Sequence, residues 1–254
     1  MNNEEADGPT YLSRSTELLW QTRERPTRGP KPTLTIGQIV DTAISVADTD
    51  GIDALSMRRV ARDLGVGTMS LYRYVPGKAE LLDLMLDHVS DPGKAVEEAR
   101  GKDWRGCLEV SAWDSRALYL EHPWLIQVNW SRPVFGPNSL AGFEFLMSVL
   151  QDVNLTDQER VIVVTTVDAY VTGAVRHQLQ YLRAAEETGV SDDEFWRHQG
   201  PVLEWAMSTG DYPTLATLEE NAFDAGWEES FEFGLRCLLD GLERFVADRA
   251  RKEQ

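Results

Sequence analysis

The segment Met57-Arg-Arg-Val-Ala61-Arg-Asp-Leu-Gly65-Val-Gly-Thr-Met-Ser-Leu71-Tyr-Arg-Tyr-Val75 constrains the chain more than any other stretch. Two short helices joined by a tight turn must cross steeply, and the crossing makes three demands. A small side chain is needed where the helices touch, and Ala61 supplies it. The turn needs a residue that tolerates positive φ, and Gly65 supplies that. An apolar residue must anchor the second helix to the core, and Leu71 is placed to do so. The spacing predicts a helix-turn-helix, with its second helix from Thr68 to Val75. The solvent face of that helix offers Thr68, Met69, Ser70, Tyr72, Arg73 and Tyr74. Hydroxyls and an arginine suit phosphates and base edges, and a methionine suits a thymine methyl. Pro76-Gly77-Lys78 then sets a cation and backbone amides at the start of the next helix, a natural phosphate contact.

The flanking residues extend the helical pattern. Thr35 and Gln38 fit a capping box, Leu34 can staple to Ile39, and Ile36, Val40, Ala43, Ile44 and Ala47 keep helical spacing up to Asp50-Gly51. Ser56 caps the first helix of the motif. A fourth helix starts at Lys78, carries Leu81, Leu82, Leu84, Met85 and Val89, and runs toward Asp91-Pro92. Beyond it we place helices near 103–121, 136–152, 157–187, 192–208 and 228–249, with a kinked link at His122-Pro123-Trp124. No stretch sustains period-two alternation, so the fold class is all-α. The chain divides into three domains: a flexible basic arm over 1–33, a helix-turn-helix head over 34–80 and a helical body over 81–254. Within the arm, Leu18, Leu19 and Trp20 can form a short helix, and Arg23, Arg25, Arg28 and Lys31 make the rest cationic.

Charge sharpens this division. The net charge of −17 taken whole argues against nucleic acid. It is unevenly spread: residues 1–80 hold 10 basic and 11 acidic side chains, and residues 81–254 hold 15 and 31. A nearly neutral head sits on a strongly acidic body. Two cysteines are too few and too far apart for a disulfide framework or a zinc cluster. No apolar run reaches the length of a membrane span, and the acidic N-terminus is unlike a signal peptide, so a cytoplasmic protein with no membrane partner is expected.

Residues 34–89 resemble the DNA-binding head of the TetR family of transcriptional regulators. The resemblance is carried by Ala43, Asp50-Gly51, Leu55-Ser56-Met57-Arg58, Val60-Ala61, Leu64-Gly65-Val66, Leu71-Tyr72, Tyr74-Val75, Lys78 and Leu81-Leu82. His122-Pro123-Trp124-Leu125, Gly136-Pro137-Asn138 and the helix through Tyr170-Val-Thr-Gly173 are similar to the ligand domain of the tetracycline-repressor branch. This implies that Arg58, Thr68, Met69 and Arg73 face base edges, and that Ser56, Ser70, Tyr72, Tyr74 and Lys78 meet phosphates. That branch is known for a magnesium-chelated drug bound through histidines. The segment just after the fourth helix offers no such histidine, so no metal and no cofactor is expected.

In the body, seven of the eight tryptophans lie beyond residue 100, and an aromatic cavity is one use for them. The helix at 157–187 is apolar on two sides. One carries Val161, Val164, Asp168, Val171, Val175 and Leu182, which we assign to a subunit interface. The other carries Val163, Val167, Tyr170, Ala174 and His177, which we assign to the cavity. The last helix has a matching stripe with Leu235, Leu238 and Leu242, and two such helices per subunit would build a four-helix bundle. By the resemblance, Trp113, Trp130, Phe143, Met147, Tyr170 and His177 surround one cavity suited to a small hydrophobic effector.

Phosphate-binding glycine loops, zinc-protease motifs and nucleophile elbows are all lacking, so the chain does not read as an enzyme. The expected function is a homodimeric repressor released from a palindromic DNA operator by that effector. An activator, or a regulator without an effector, fits the same residues. A helical adaptor would need the hydroxyl and arginine face to bind protein instead.

Overall fold

The computed structural model describes residues 14–20, 34–128, 135–219 and 221–252. Among them there is no strand, and the architecture is all-helical. Residues 14–20 form a helix, α1. The head comprises α2 (Ile36–Asp50), α3 (Met57–Asp63), α4 (Thr68–Leu71) and α5 (Lys78–Val89). The body is α6 (Gly93–Glu98), α7 (Trp104–Glu121), α8 (Pro137–Val149), α9 (Asp157–Thr188), α10 (Asp192–Ser208) and α11 (Trp227–Lys252). A 3₁₀ turn over Pro123–Gln127 comes directly after α7.

The starts and stops obey local chemistry. Thr35 accepts from the Gln38 amide while the Gln38 side chain accepts from the Thr35 amide, so the capping box of α2 is formed. Leu34 and Ile39 are both buried beside it. Gly51 ends α2 at φ 83° and ψ 162°, a backbone region open in practice only to glycine. The expected helix Thr68–Val75 is shorter than its pattern, because Pro76 disfavours helical geometry at the residue before it. Residues 72–74 continue as a turn in which the Tyr74 and Val75 amides donate to the Leu71 carbonyl.

The long α9 lies between α7 and α11, and two side chains fix its rotation. Tyr119 on α7 donates to Asp168 at 3.4 Å, turning that face toward α7. Burial, with the Asp168 charge behind it, pushes the Tyr119 phenol up to about 12. Tyr170 donates to the Phe231 carbonyl at 2.7 Å, turning the next face toward α11.

This rotation corrects the interface expected from the sequence. Val164, Val171, Val175 and Leu235 are buried in the chain's own core, and Val171 is only 1% exposed. Leu238 and Leu242 are partly buried and pack against the same core. Val164, Val171, Val175 and Leu235, covered by their own chain, have little surface to offer a second subunit, whereas Leu238 and Leu242 keep part of theirs. The uncovered face of α9 carries Ile162, Thr166, Ala169 and Gly173, and that of α11 carries Phe233, Cys237, Gly241 and Phe245.

In the N-terminal segment, α1 covers the short helix expected at Leu18, Leu19 and Trp20. Leu19 is buried, and the Trp20 indole donates to the Phe135 carbonyl at 3.2 Å, so α1 bridges the head and the start of α8. The cationic residues Arg23, Arg25, Arg28 and Lys31, and Trp130 in the body, lie outside the described residues.

Candidate functional site

The helix-turn-helix is assembled as its spacing requires. Ala61 is 1% exposed at the crossing, Leu71 is fully buried, and Gly65 turns the chain at φ 68°. The Val66 amide donates back to the Ala61 carbonyl at 2.9 Å, closing the end of α3. The Ser56 hydroxyl accepts from the Arg59 amide at 3.2 Å and caps α3.

Of the arginines in this head, two kinds emerge. Arg59 is held by Asp50 and Asp63, each at 2.7 Å, and Arg62 by Asp63 at 3.2 Å. Asp63 and then Asp50 raise the pKa of Arg59, and Arg59 in turn lowers that of Asp63. Arg58 and Arg73 are exposed and have no acidic partner among the described residues. Met69 is 78% exposed, and Tyr72 stands out beside it. Thr68 and Ser70 are half-buried on the same short helix, and Tyr74 packs partly against the core. Lys78 sits at the first position of α5 and donates to the Ile52 carbonyl at 3.4 Å, which pins its ammonium against the turn between α2 and α3. Every head residue singled out from the sequence therefore lies on α3, its cap, α4, the turn after it, or the start of α5.

Two carboxylates tie this head to the body. Asp48, near the end of α2, takes the Trp124 indole N–H at 2.7 Å and meets His122 Nδ1 at 2.8 Å. Asp87, near the end of α5 and buried, accepts from the Asn138 and Ser139 amides and the Ser139 hydroxyl at 2.9–3.1 Å. The α8 N-terminus has no side-chain cap of its own, so Asp87 supplies one from another helix. Gly136 must stay glycine here, because a Cβ would overlap the Asp87 carboxylate.

In the body, a cavity of about 90 Å³ opens between α7, α9 and α11. Arg116, Tyr170, His177, Gln178, Trp227 and Phe231 are among its lining residues. Trp113 stands edge-on to Phe231 at 4.8 Å, and His177 edge-on to Trp227 at 5.3 Å. Tyr170 and His177 line this cavity, and Trp113 does not line it but meets its wall through Phe231. Phe143 and Met147 lie on α8 and do not line this cavity, and Phe143 is 40% exposed. Arg116, Gln178, Trp227 and Phe231 were missed from the sequence. Arg116 lies one helical turn after Trp113, a spacing that could have flagged it.

A head of this construction on a cavity-bearing helical body defines a helix-turn-helix transcriptional regulator with a ligand domain. Comparison with known proteins makes the assignment specific. Residues 39–85 match the bacterial regulatory proteins of the tetR family, and residues 98–246 match the tetracyclin repressor-like C-terminal domain. The chain belongs to the TetR family and is a DNA-binding transcriptional repressor. It is 49% identical to the HTH-type transcriptional repressor DrrR1 of Streptomyces coeruleorubidus, over 96% of this chain and 90% of that one. Its fold is similar to apo ActR from Streptomyces coelicolor, with a TM-score of 0.67, 27% identity, and coverage of 87% of this chain and 100% of that one. A structure of ActR with actinorhodin is also similar, with a TM-score of 0.60, 26% identity, and coverage of 85% and 99%.

Proposed function

We propose that the chain works as a homodimer whose two heads read the halves of a near-palindromic operator. In this reading Arg58, Thr68, Met69 and Arg73 meet base edges, while Ser56, Ser70, Tyr72, Tyr74 and Lys78 hold phosphates. The observation that carries it is the division among the head's arginines: Arg59 and Arg62 are neutralised by neighbouring acids, whereas Arg58 and Arg73 are exposed and have no acidic partner among the described residues. In a chain this acidic, exposed arginines that are not paired with acids suit a polyanion.

Dimerisation uses the uncovered faces of α9 and α11. Ala169, Gly173 and Gly241 lie there with nothing over them, and small residues let helices from two subunits approach closely. The exposed Phe195, Trp196, Val202 and Trp205 of α10 are further apolar surface for a second copy to cover.

An aromatic small molecule in the cavity between α7, α9 and α11 releases the operator. Arg116 precedes His122 by six residues on one helix path, about 9 Å. His122 and Trp124 are tied through Asp48 to the head's first helix. A ligand that fits better when α7 has shifted favours a head spacing that no longer matches DNA. The chain acts by binding, without catalysis, and in the cytoplasm, where its operator is. Selecting genomic fragments with the pure protein, then titrating a selected duplex in a mobility-shift assay, tests the reading. A protein that selects no sequence above background overturns it.

A further inference from the structure

The ionic character of the cavity wall is unusual for this chain. The sequence carries 42 acidic side chains against 25 Lys and Arg, and several arginines on the surrounding helices are paired with acids. Arg105 on α7 meets Asp240 and Glu243, Arg160 on α9 meets Asp157, and Arg249 on α11 meets Glu159. Arg116 has no carboxylate partner among the described residues. Among the described residues its one hydrogen bond goes to a neutral amide oxygen, Gln178 Oε1, at 3.1 Å.

Two rings hold the guanidinium in place, with its carbon 5.2 Å from the Phe231 centroid and 5.6 Å from that of Trp113. A guanidinium has more N–H donors than one amide oxygen can take, and it prefers a planar, charged acceptor. His177 and the half-buried Gln178 border the same space, and neither brings a negative charge. The Tyr170 O–H is donated to the Phe231 carbonyl, so it is not available to donate to an anion.

We infer that the effector is an aromatic molecule bearing an anionic oxygen, a carboxylate or an ionised phenol, that pairs with Arg116 while its ring packs among Trp113, Trp227 and Phe231. This rests on the reading of the cavity as the effector site. It also gives the cavity selectivity: Arg116 is held on the cavity wall between two rings, where it offsets the repulsion that an acidic body exerts on an anion.

The test uses two probes that differ in charge alone, 2-naphthoate and 2-naphthamide, titrated into the full-length protein by calorimetry and tryptophan emission. Naphthoate should bind about tenfold or more tightly than the amide, the fold-change of one charge-assisted hydrogen bond. Arg116→Gln should abolish the preference, and Arg116→Lys should keep part of it, with both variants checked for parental circular dichroism. Equal binding of the two probes, or an unchanged naphthoate affinity in Arg116→Gln, overturns the inference and leaves the cavity standing as an effector site. If neither probe binds or displaces operator DNA, the cavity reading fails, and the inference with it.

Discussion

The Trp124 indole N–H and the His122 ring share a single carboxylate oxygen of Asp48, at 2.7 and 2.8 Å. Asp48 belongs to the head's first helix, and the two ring donors belong to the link directly after α7. Trp124 is 1% exposed, so its N–H has no access to water in exchange. A polar contact of this kind fixes an angle better than apolar packing does, because it is satisfied in one arrangement only.

Asp48→Ala should therefore cost about 1–3 kcal/mol of stability, the usual penalty for a buried donor left unpaired. It should also weaken coupling. Effector affinity of the free protein stays near parental, while the effector concentration needed to release DNA rises. Urea unfolding and paired binding titrations measure both. A variant with parental release at parental effector affinity would show that this contact transmits nothing.

Base contact separates Arg58 and Arg73 from Arg59. Arg58→Ala and Arg73→Ala should each weaken the selected site by about 1–3 kcal/mol and relax its sequence preference. Arg59→Ala removes an arginine already held by Asp50 and Asp63, so sequence preference should survive. Comparing selected and scrambled duplexes gives the answer directly, and the assignment is wrong if Arg59→Ala is the variant that loses discrimination.

Much of this molecule is legible in the sequence where local chemistry decides. Thr35 with Gln38, Gly51, Ser56 and Gly65 mark their helix ends correctly, because caps and positive φ act on immediate neighbours. The short α6 escapes notice, since six residues hold too little periodicity to register. The two apolar sides of α9 are visible, but which neighbour each side meets is a tertiary matter. Valines at 164, 171 and 175 look alike whether they face α7 or another subunit, and only the Tyr119–Asp168 contact decides. Arg116 reads as a surface residue on an amphipathic helix until Phe231, far along the chain, arrives beneath it.

Acid should find a specific weak point at the start of α9. Glu159 closes the capping box with Thr156 and also meets Arg249 of α11. The Thr156 amide, then its hydroxyl, then Arg249 hold the Glu159 carboxyl at about 2, against an ordinary value of 4.5. A folded pKa below the unfolded one means stability that is present above pH 4.5 and lost as pH falls toward 2. Glu159→Gln should be less stable than the parent at neutral pH. The gap between them should close between roughly pH 5 and 2, as expected when a depressed carboxylate is protonated. Urea midpoints across that range would count against the account if the gap stayed constant.

The covered and uncovered faces of α9 should respond differently to the same substitution. Val171 is 1% exposed within its own chain, so Val171→Glu buries an unpaired charge in the core, and the chain should fail to fold. Ile162 is 52% exposed, and Ile162→Glu leaves the core intact. On α11, Phe245 is 50% exposed and offers the same comparison. Ile162→Glu and Phe245→Glu should keep parental helicity and unfold cooperatively, yet sediment as monomers. They should lose most affinity for a two-half-site operator, because a lone head makes half the contacts, while binding to a single half-site changes little. Sedimentation velocity with duplexes of one and two half-sites separates the outcomes. Dimers in both exposed-face variants would place the subunit interface elsewhere, with the apolar surface of α10 as the next face to mutate.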